Sequence, residues 1–295
     1  MHTRRIETRQ SRTAEVMCGL RAISSMESRP AFRSGDTIAQ LLLPLRIHAL
    51  CAIPPLRRLL TRIMGPAGMY EWAIARTRYI DGIFQEAVSA GFAQALLIGA
   101  GFDTRAIRFY GGTRGIHVYE LDAATTQEAK LQQYQARRIE VPPTDHFIAI
   151  DFEKESFAAK LKEGGFRAGA RTLVIAEGVF QYLTPETARE TLRSISALVS
   201  AGSWLVFDYA HASVLRGDGG QYGEKGVTDR LQRMGEAWKF GLEEREVGPL
   251  LAEHGFTLVE LKSPHALEEM YFMGNRGKPV GRINGTQSIV RAERK

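Results

Sequence analysis

The stretch from residue 93 to 122, AQALLIGAGFDTRAIRFYGGTRGIHVYELD, limits what this chain can fold into more than any other. An apolar run, Ala95-Leu96-Leu97-Ile98, passes directly into Gly99-Ala100-Gly101-Phe102-Asp103-Thr104. A short amphipathic segment follows. A second run, Ile116-His117-Val118-Tyr119, then ends on Glu120-Leu121-Asp122. The spacing predicts strand, glycine turn, helix and strand, with an acid closing the second strand, which is half of a nucleotide-binding βαβ unit. Gly99 and Gly101 have no Cβ, so the backbone there can bend sharply and come close to a ligand. Asp122 can accept hydrogen bonds from both hydroxyls of a ribose. The dinucleotide fingerprint asks for a third glycine for close helix–strand packing, and Thr104 occupies that place. With Asp103-Thr104 there, a pyrophosphate fits less well than an adenosyl ligand without phosphates, S-adenosylmethionine.

The rest of the chain continues the alternation. Strands are expected at 146–150, 172–176, 203–208, 256–261 and 286–292. Helices are expected at 14–25, from Asp36 as an N-cap, and at 71–90, 125–138, 157–163, 184–199, 243–254 and 266–272. The helix over 125–138 is polar and reads as a surface helix. Segment 41–64 is apolar, broken by Pro44, Pro54 and Pro55, and reads either as a cap over a substrate or as ordinary packing on the main body. The pattern as a whole specifies an α/β protein with a doubly wound, mostly parallel, seven-stranded, Rossmann-like sheet. It divides into a tail and helical cap over 1–70 and a main domain over 71–295, with an insertion at about 210–241. In such a sheet the ligand lies across the carboxyl ends of the strands. Gly99, Asp122, Asp151 and Glu177 all fall at such ends.

Composition narrows the partners. The formal charge of +6 would permit nucleic acid, but the excess gathers at Arg4, Arg5, Arg9 and Arg12 without interleaved aromatics, so no nucleic acid is expected. No uninterrupted apolar stretch reaches about 18 residues, so no membrane is expected either. Cys18 and Cys51 form neither a metal pattern nor a disulfide framework, which favours a reducing, cytoplasmic setting and no metal. Residues 1–13 read as a loosely attached tail. The oligomeric state is open and a homo-oligomer is allowed.

The blocks ARTRYID, LLIGAGFDTRAIRF, VYELD, AIDF and IAEGVFQYLTPE resemble the leucine carboxyl methyltransferase family, which includes bacterial polyketide carboxyl O-methyltransferases. The resemblance runs from Ala14 to Asp208. It implies a class I methyltransferase fold, S-adenosylmethionine as cofactor and a role in secondary metabolism. Carried over residue by residue, it implies that Arg76 holds the methionine carboxylate, with Arg78 the neighbouring candidate. Gly99 and Gly101, with Asp103 and Thr104 behind them, form the turn beneath the methionine portion. Asp122 takes the ribose, Asp151 and Phe152 the adenine, and Glu177 with Gly178 the amino group, while Tyr182 faces the substrate.

A carboxylate acceptor has a pKa of about 4 and is ionised at neutral pH, so it needs no general base. A phenol, pKa about 10, would be ionised only about one part in a thousand at pH 7, a cost of roughly 4 kcal/mol, and profits from a base. His211 just after the fifth strand and His265 before the late helix are the candidates for that base, but neither sits in a recognisable base–acid pair, which favours a carboxylate acceptor that Tyr182 and Tyr209 would orient. The expectation is O-methylation of a small, apolar carboxylic acid. Alternatives are a phenol or hydroxyl methylase using His211, a protein carboxyl-terminal acceptor, a nicotinamide oxidoreductase and a non-catalytic adenosyl-binding protein.

Overall fold

The computed structural model describes residues 12–112, 116–152, 154–274 and 277–295. The tail expected over 1–13 lies outside the described residues as far as residue 11. Three helices come first: α1 (Arg12–Ser25), α2 (Leu45–Cys51) and α3 (Pro54–Met64). Prolines break this region into two helices rather than abolishing it. Pro54 starts α3 at its first position, where a missing N–H costs nothing. Asp36 does not begin an α-helix. Its carboxylate accepts the Ala39 N–H at 3.0 Å and holds a short 3₁₀ turn at Ala39–Leu42. The long helix α4 (Met69–Ser89) follows, and its inner stripe carries Trp72, Ile80 and Phe84.

The sheet then forms from β1 (Gln94–Ile98), β2 (His117–Asp122), β3 (Asp145–Ala149), β4 (Thr172–Ala176) and β5 (Trp204–His211). Connecting them are α5 (Arg105–Arg108), α6 (Ala124–Ala136), α7 (Phe157–Glu163) and α8 (Pro185–Leu198). Thr184 caps α8 as expected, its side chain accepting the Thr187 N–H. The segment after β5, where an insertion was expected, holds two helices, α9 (Ala212–Arg216) and α10 (Glu224–Met234), and a two-residue strand β6 (Gly241–Leu242). Helix α10 ends at Met234, because Gly235 takes a left-handed φ of 68°. Last come α11 (Glu244–Glu253), β7 (Phe256–Lys262), α12 (Pro264–Tyr271) and β8 (Gln287–Arg294).

The strand order is β3-β2-β1-β4-β5-β8-β7, with β6 paired to β5. β1 to β5 are parallel, while β8 runs antiparallel to both β5 and β7. The seven expected strands are present, and β6 is an eighth too short for a sequence pattern to reveal. The order reverses at β1, between β2 and β4, and the crevice at that reversal is where such sheets hold ligands. One apolar cluster joins Leu20 and Ile23 of α1, Phe84 of α4, and Ala95 and Leu97 of β1. The amino-terminal helices are thus packed against one face of the sheet. A second cluster on the other face includes Leu96, Val174 and Phe207.

Helix α6 corrects the surface reading. Thr126, Gln127, Lys130 and Tyr134 are buried, and Lys130 pairs with Glu120 of β2 inside the protein. The inner face of α6 is polar because the strand beneath it carries an acid, so hydrophobic patterning could not mark it as buried. Asp145 stands nearby with both carboxylate oxygens lacking a hydrogen-bond partner. Burial raises its pKa to about 6, against the pull of Lys130. Removing one partner of a buried pair strands the other charge, which typically costs 3–5 kcal/mol, whereas apolar replacement of both is often neutral. Lys130→Met is therefore expected to destabilise the fold by about 3 kcal/mol in urea denaturation. The double variant Lys130→Met with Glu120→Leu should recover most of that loss.

Candidate active site

The first wall of the site is the turn after β1. Gly99 and Gly101 sit at φ of 61° and 53°, a left-handed region that a side chain resists. The space is tight as well. A Cβ on Gly99 would lie 2.6 Å from Val179 Cγ2, and one on Gly101 would lie 3.2 Å from the Ala14 methyl of α1. Asp122 locks this turn. Its Oδ2 accepts the Gly101 N–H at 2.6 Å and its Oδ1 accepts the Ala123 N–H at 2.7 Å. Burial raises the Asp122 pKa, and these two N–H donors oppose the rise.

The second wall is the turn after β4, Glu177-Gly178, and behind it lies a chain of buried charges. Arg76 of α4 donates from Nη1 to Asp208 Oδ2 at 2.6 Å and places Nε 3.0 Å from Glu177 Oε1. Arg105 donates to Glu177 Oε2 and to Asp81 Oδ1, each at 2.8 Å, and pairs with Asp103. Arg108 grips Asp81 with two bonds, at 2.6 and 2.9 Å, and reaches Asp36 at 3.4 Å. Asp36 receives Arg21 of α1 at 2.9 Å and the Thr104 hydroxyl at 2.7 Å. Arg21 also donates to the Phe102 carbonyl in the glycine turn. The result is one continuous lattice, Arg21–Asp36–Arg108–Asp81–Arg105–Glu177–Arg76–Asp208, running from the first helix to β5.

Burial alone would raise the Glu177 pKa, but Arg105, Arg76 and Arg21 outweigh it and hold the carboxyl down at about 2. Asp208 is shifted the other way: burial pushes it up, and Arg76 and the Gly178 N–H only partly oppose this.

The lattice fits the cofactor that the sequence implies. It sets four arginines against five carboxylates, counting Asp103, so one negative charge is in surplus. S-Adenosylmethionine carries two cationic groups and one carboxylate, the opposite sign. The Arg76 Nε–H is buried without an aligned acceptor, despite the nearness of Glu177, so it can still take one.

The predicted residues separate into groups. Gly99, Gly101 and Asp122 meet at one wall, and Arg76, Glu177 and Gly178 at the other. Asp103 and Thr104 belong to the lattice behind them. Asp151 follows β3 next to β2, where Ile150 N–H bonds the Asp122 carbonyl, and it pairs with Lys154 at 2.6 Å. Phe152 beside it is exposed. Tyr182 lies against Thr13 of α1 and Trp238 of the segment after β5, and Thr13 bonds Glu236 across the same seam.

Three residues are placed elsewhere. Arg78 points away from the turn, its guanidinium 4.5 Å above the Tyr271 ring, because it lies two residues from Arg76 on a helix. Tyr209 alternates with Asp208 along β5 and is buried on the opposite face with Phe207. His211 is on that same face, and its Nε2 is held 2.8 Å from Ser288 Oγ. Asp36, Arg21, Asp81, Arg105, Arg108 and Asp208 were not among the predicted site residues. The available signal was a charge inside an apolar pattern, as Asp81 in the inner stripe of α4 and Asp208 within WLVFDYA.

A family model described as leucine carboxyl methyltransferase matches residues 14–196. A Bacillus subtilis (strain 168) protein provisionally named S-adenosyl-L-methionine-dependent methyltransferase YktD is 26% identical over 210 residues, covering 69% of this chain and 66% of its own. A Mycolicibacterium smegmatis protein with a similar provisional name is 31% identical over 193 residues, covering 64% and 62%. This chain thus spans just under two thirds of the length of these relatives. Among solved structures, an O-methyltransferase family protein from Burkholderia thailandensis superposes with a TM-score of 0.49 at 14% identity, covering 89% of this chain and 68% of that one. Magnesium protoporphyrin IX methyltransferase from Synechocystis PCC 6803 superposes at 0.47 and 14%, covering 76% and 84%.

The depressed pKa of Glu177 has a thermodynamic consequence. A carboxyl lowered from 4.5 to about 2 contributes stability that is present above pH 4.5 and lost as pH falls toward 2. Glu177→Gln is expected to cost about 3 kcal/mol at neutral pH and to flatten the stability profile between those limits, read by urea melts across pH.

Proposed function

The chain belongs to the leucine carboxyl methyltransferase family, whose cofactor is S-adenosylmethionine, and from that premise we propose that it methylates a carboxylate oxygen of a small, apolar acid. The observation that supports this reading best is the meeting of the Gly99–Gly101 turn, Asp122 and the Arg76–Glu177 pair at the reversal of strand order. When bound, the cofactor supplies an electrophilic methyl group on a cationic sulfur.

The chain's own residues would supply binding, alignment and exclusion of water. Asp122, already fixed by two N–H donors, would take the ribose hydroxyls. Arg76 would receive the amino-acid carboxylate, its planar fork matching two oxygens. Glu177, held ionised by its arginines, would accept the amino group. Helix α1 covers the turn, with Ala14 over Gly101 and Arg21 on the Phe102 carbonyl, and would shut solvent away from the reacting atoms. Methyl transfer is an in-line displacement, so positioning carries most of the rate.

No general base is required for a carboxylate. His211 accords with that, since its Nε2 is engaged by Ser288 and burial lowers its pKa. The seam of Tyr182, Trp238 and Thr13 would form the acceptor side.

Asp122→Ala is expected to abolish S-adenosylmethionine binding in calorimetry while circular dichroism stays native. Incubation with labelled cofactor and a panel of carboxylic acids should yield base-labile methyl esters by mass spectrometry. His211→Asn should keep its turnover, with a pH–rate profile free of a step near pH 6 to 7. Products stable to mild base, or a loss of turnover in that variant, would replace the ester reading with a base-assisted one.

A further inference from the structure

Helices α2 and α3 carry a surface that the methyl-transfer site does not use. Between Asp36 and Glu71 the sequence has four arginines, no lysine and no acidic residue. One of the four, Arg57, is turned inward. It bonds the Met26 carbonyl and lies 3.7 Å from Glu27, which pins α3 to the body. Leu60 and Met64 pack on the core beside it.

The outer stripe of α3 is Pro55, Arg58, Leu59, Arg62 and Ile63, spaced three and four residues apart on one face. On α2 the outward positions are Arg46, Ala49 and Leu50, continued by Ile53 in the link between the helices. The four large aliphatics are well exposed: Leu50 at 40%, Ile53 at 49%, Leu59 at 52% and Ile63 at 63%. Among the described residues, no carboxylate lies within ion-pair distance of Arg46, Arg58 or Arg62. Arg230 of α10 reaches the Ile63 carbonyl at 3.4 Å and extends the positive rim.

We propose that this face, Arg46–Leu50–Ile53 with Arg58–Leu59–Arg62–Ile63, docks the protein onto an anionic lipid surface. The sequence expectation of no membrane rested on the lack of a spanning segment, and no described helix is long and apolar enough to cross one. A helix lying in the interface obeys a different rule. It needs aliphatic side chains to enter the acyl boundary and cations beside them to meet acidic headgroups. The stripe alternates those two types and offers little else. Nucleic acid is the poorer match, because residues 37–69 contain no Phe, Tyr or Trp on which successive bases could stack. A protein partner is also poorer, since the stripe has neither aromatic anchors nor neutral hydrogen-bonding groups for a specific interface.

The test is co-sedimentation of the full chain with vesicles of phosphatidylcholine alone and of phosphatidylcholine with phosphatidylglycerol. Partition onto the anionic vesicles is expected to be at least tenfold stronger, and to weaken as salt is raised. Arg58→Glu with Arg62→Glu should lose that preference. Leu59→Asp with Ile63→Asp should lose binding even at low salt. All four positions are on the surface, so thermal melts should match the parent chain. Equal or absent binding to both vesicle types would overturn the proposal. So would light scattering that shows a dimer in the parent chain and a monomer in Leu59→Asp with Ile63→Asp, since the face would then be covered by a second copy. Retention of an acidic protein with no vesicle binding would overturn it in favour of a protein partner.

Discussion

The alternation of arginine and carboxylate from Arg21 to Asp208 is the interaction on which the rest of the structure depends. Buried ion pairs give little net stability, because desolvating each charge consumes most of what their attraction returns. Their value here is positional. Five acids on separate elements, at 36, 81, 103, 177 and 208, are held by four arginines, so α1, α4, the glycine turn, β4 and β5 fix one another's places. An apolar core of the same volume would tolerate sliding of those elements. A lattice of forked donors does not. It also leaves one uncompensated negative charge in a dry setting, where a cationic ligand is worth more than it would be in water.

The glycine turn and the lattice depend on each other. Asp122 holds Gly101 from the β2 side, and Arg21 holds the Phe102 carbonyl from the α1 side, so the turn is tied at both ends. A turn so fixed loses little entropy when a ligand meets it. The same logic bears on the proposed carboxylate acceptor, which would need no proton acceptor. Where the acceptor atom is already ionised, fixed geometry and exclusion of water are what remain to be supplied.

How far the sequence reached follows from the range of each interaction. Residues 93–122 were legible because strand, turn and helix preferences there are local and agree with one another. Thr184 with Pro185 was legible for the same reason. Arg105 and Asp208 were not, because a charge on a buried face gains its meaning only from partners far along the chain, as with Arg76 and Asp208, 132 residues apart. Lys130 and Gln127 went unread because a polar helix face over a polar strand leaves no apolar period to detect. Tyr209 and His211 show the converse: chain position after a strand suggested the site, but the two-residue alternation of β5 sends them to the other face.

The most direct measurement is a crystal structure of the full chain grown with S-adenosylhomocysteine. The account predicts the nucleoside between the Gly99–Gly101 turn and Asp122, with the amino-acid end reaching Arg76 and Glu177. A ligand bound on the far face of β5 beside Tyr209, or one that left both turns untouched, would contradict it.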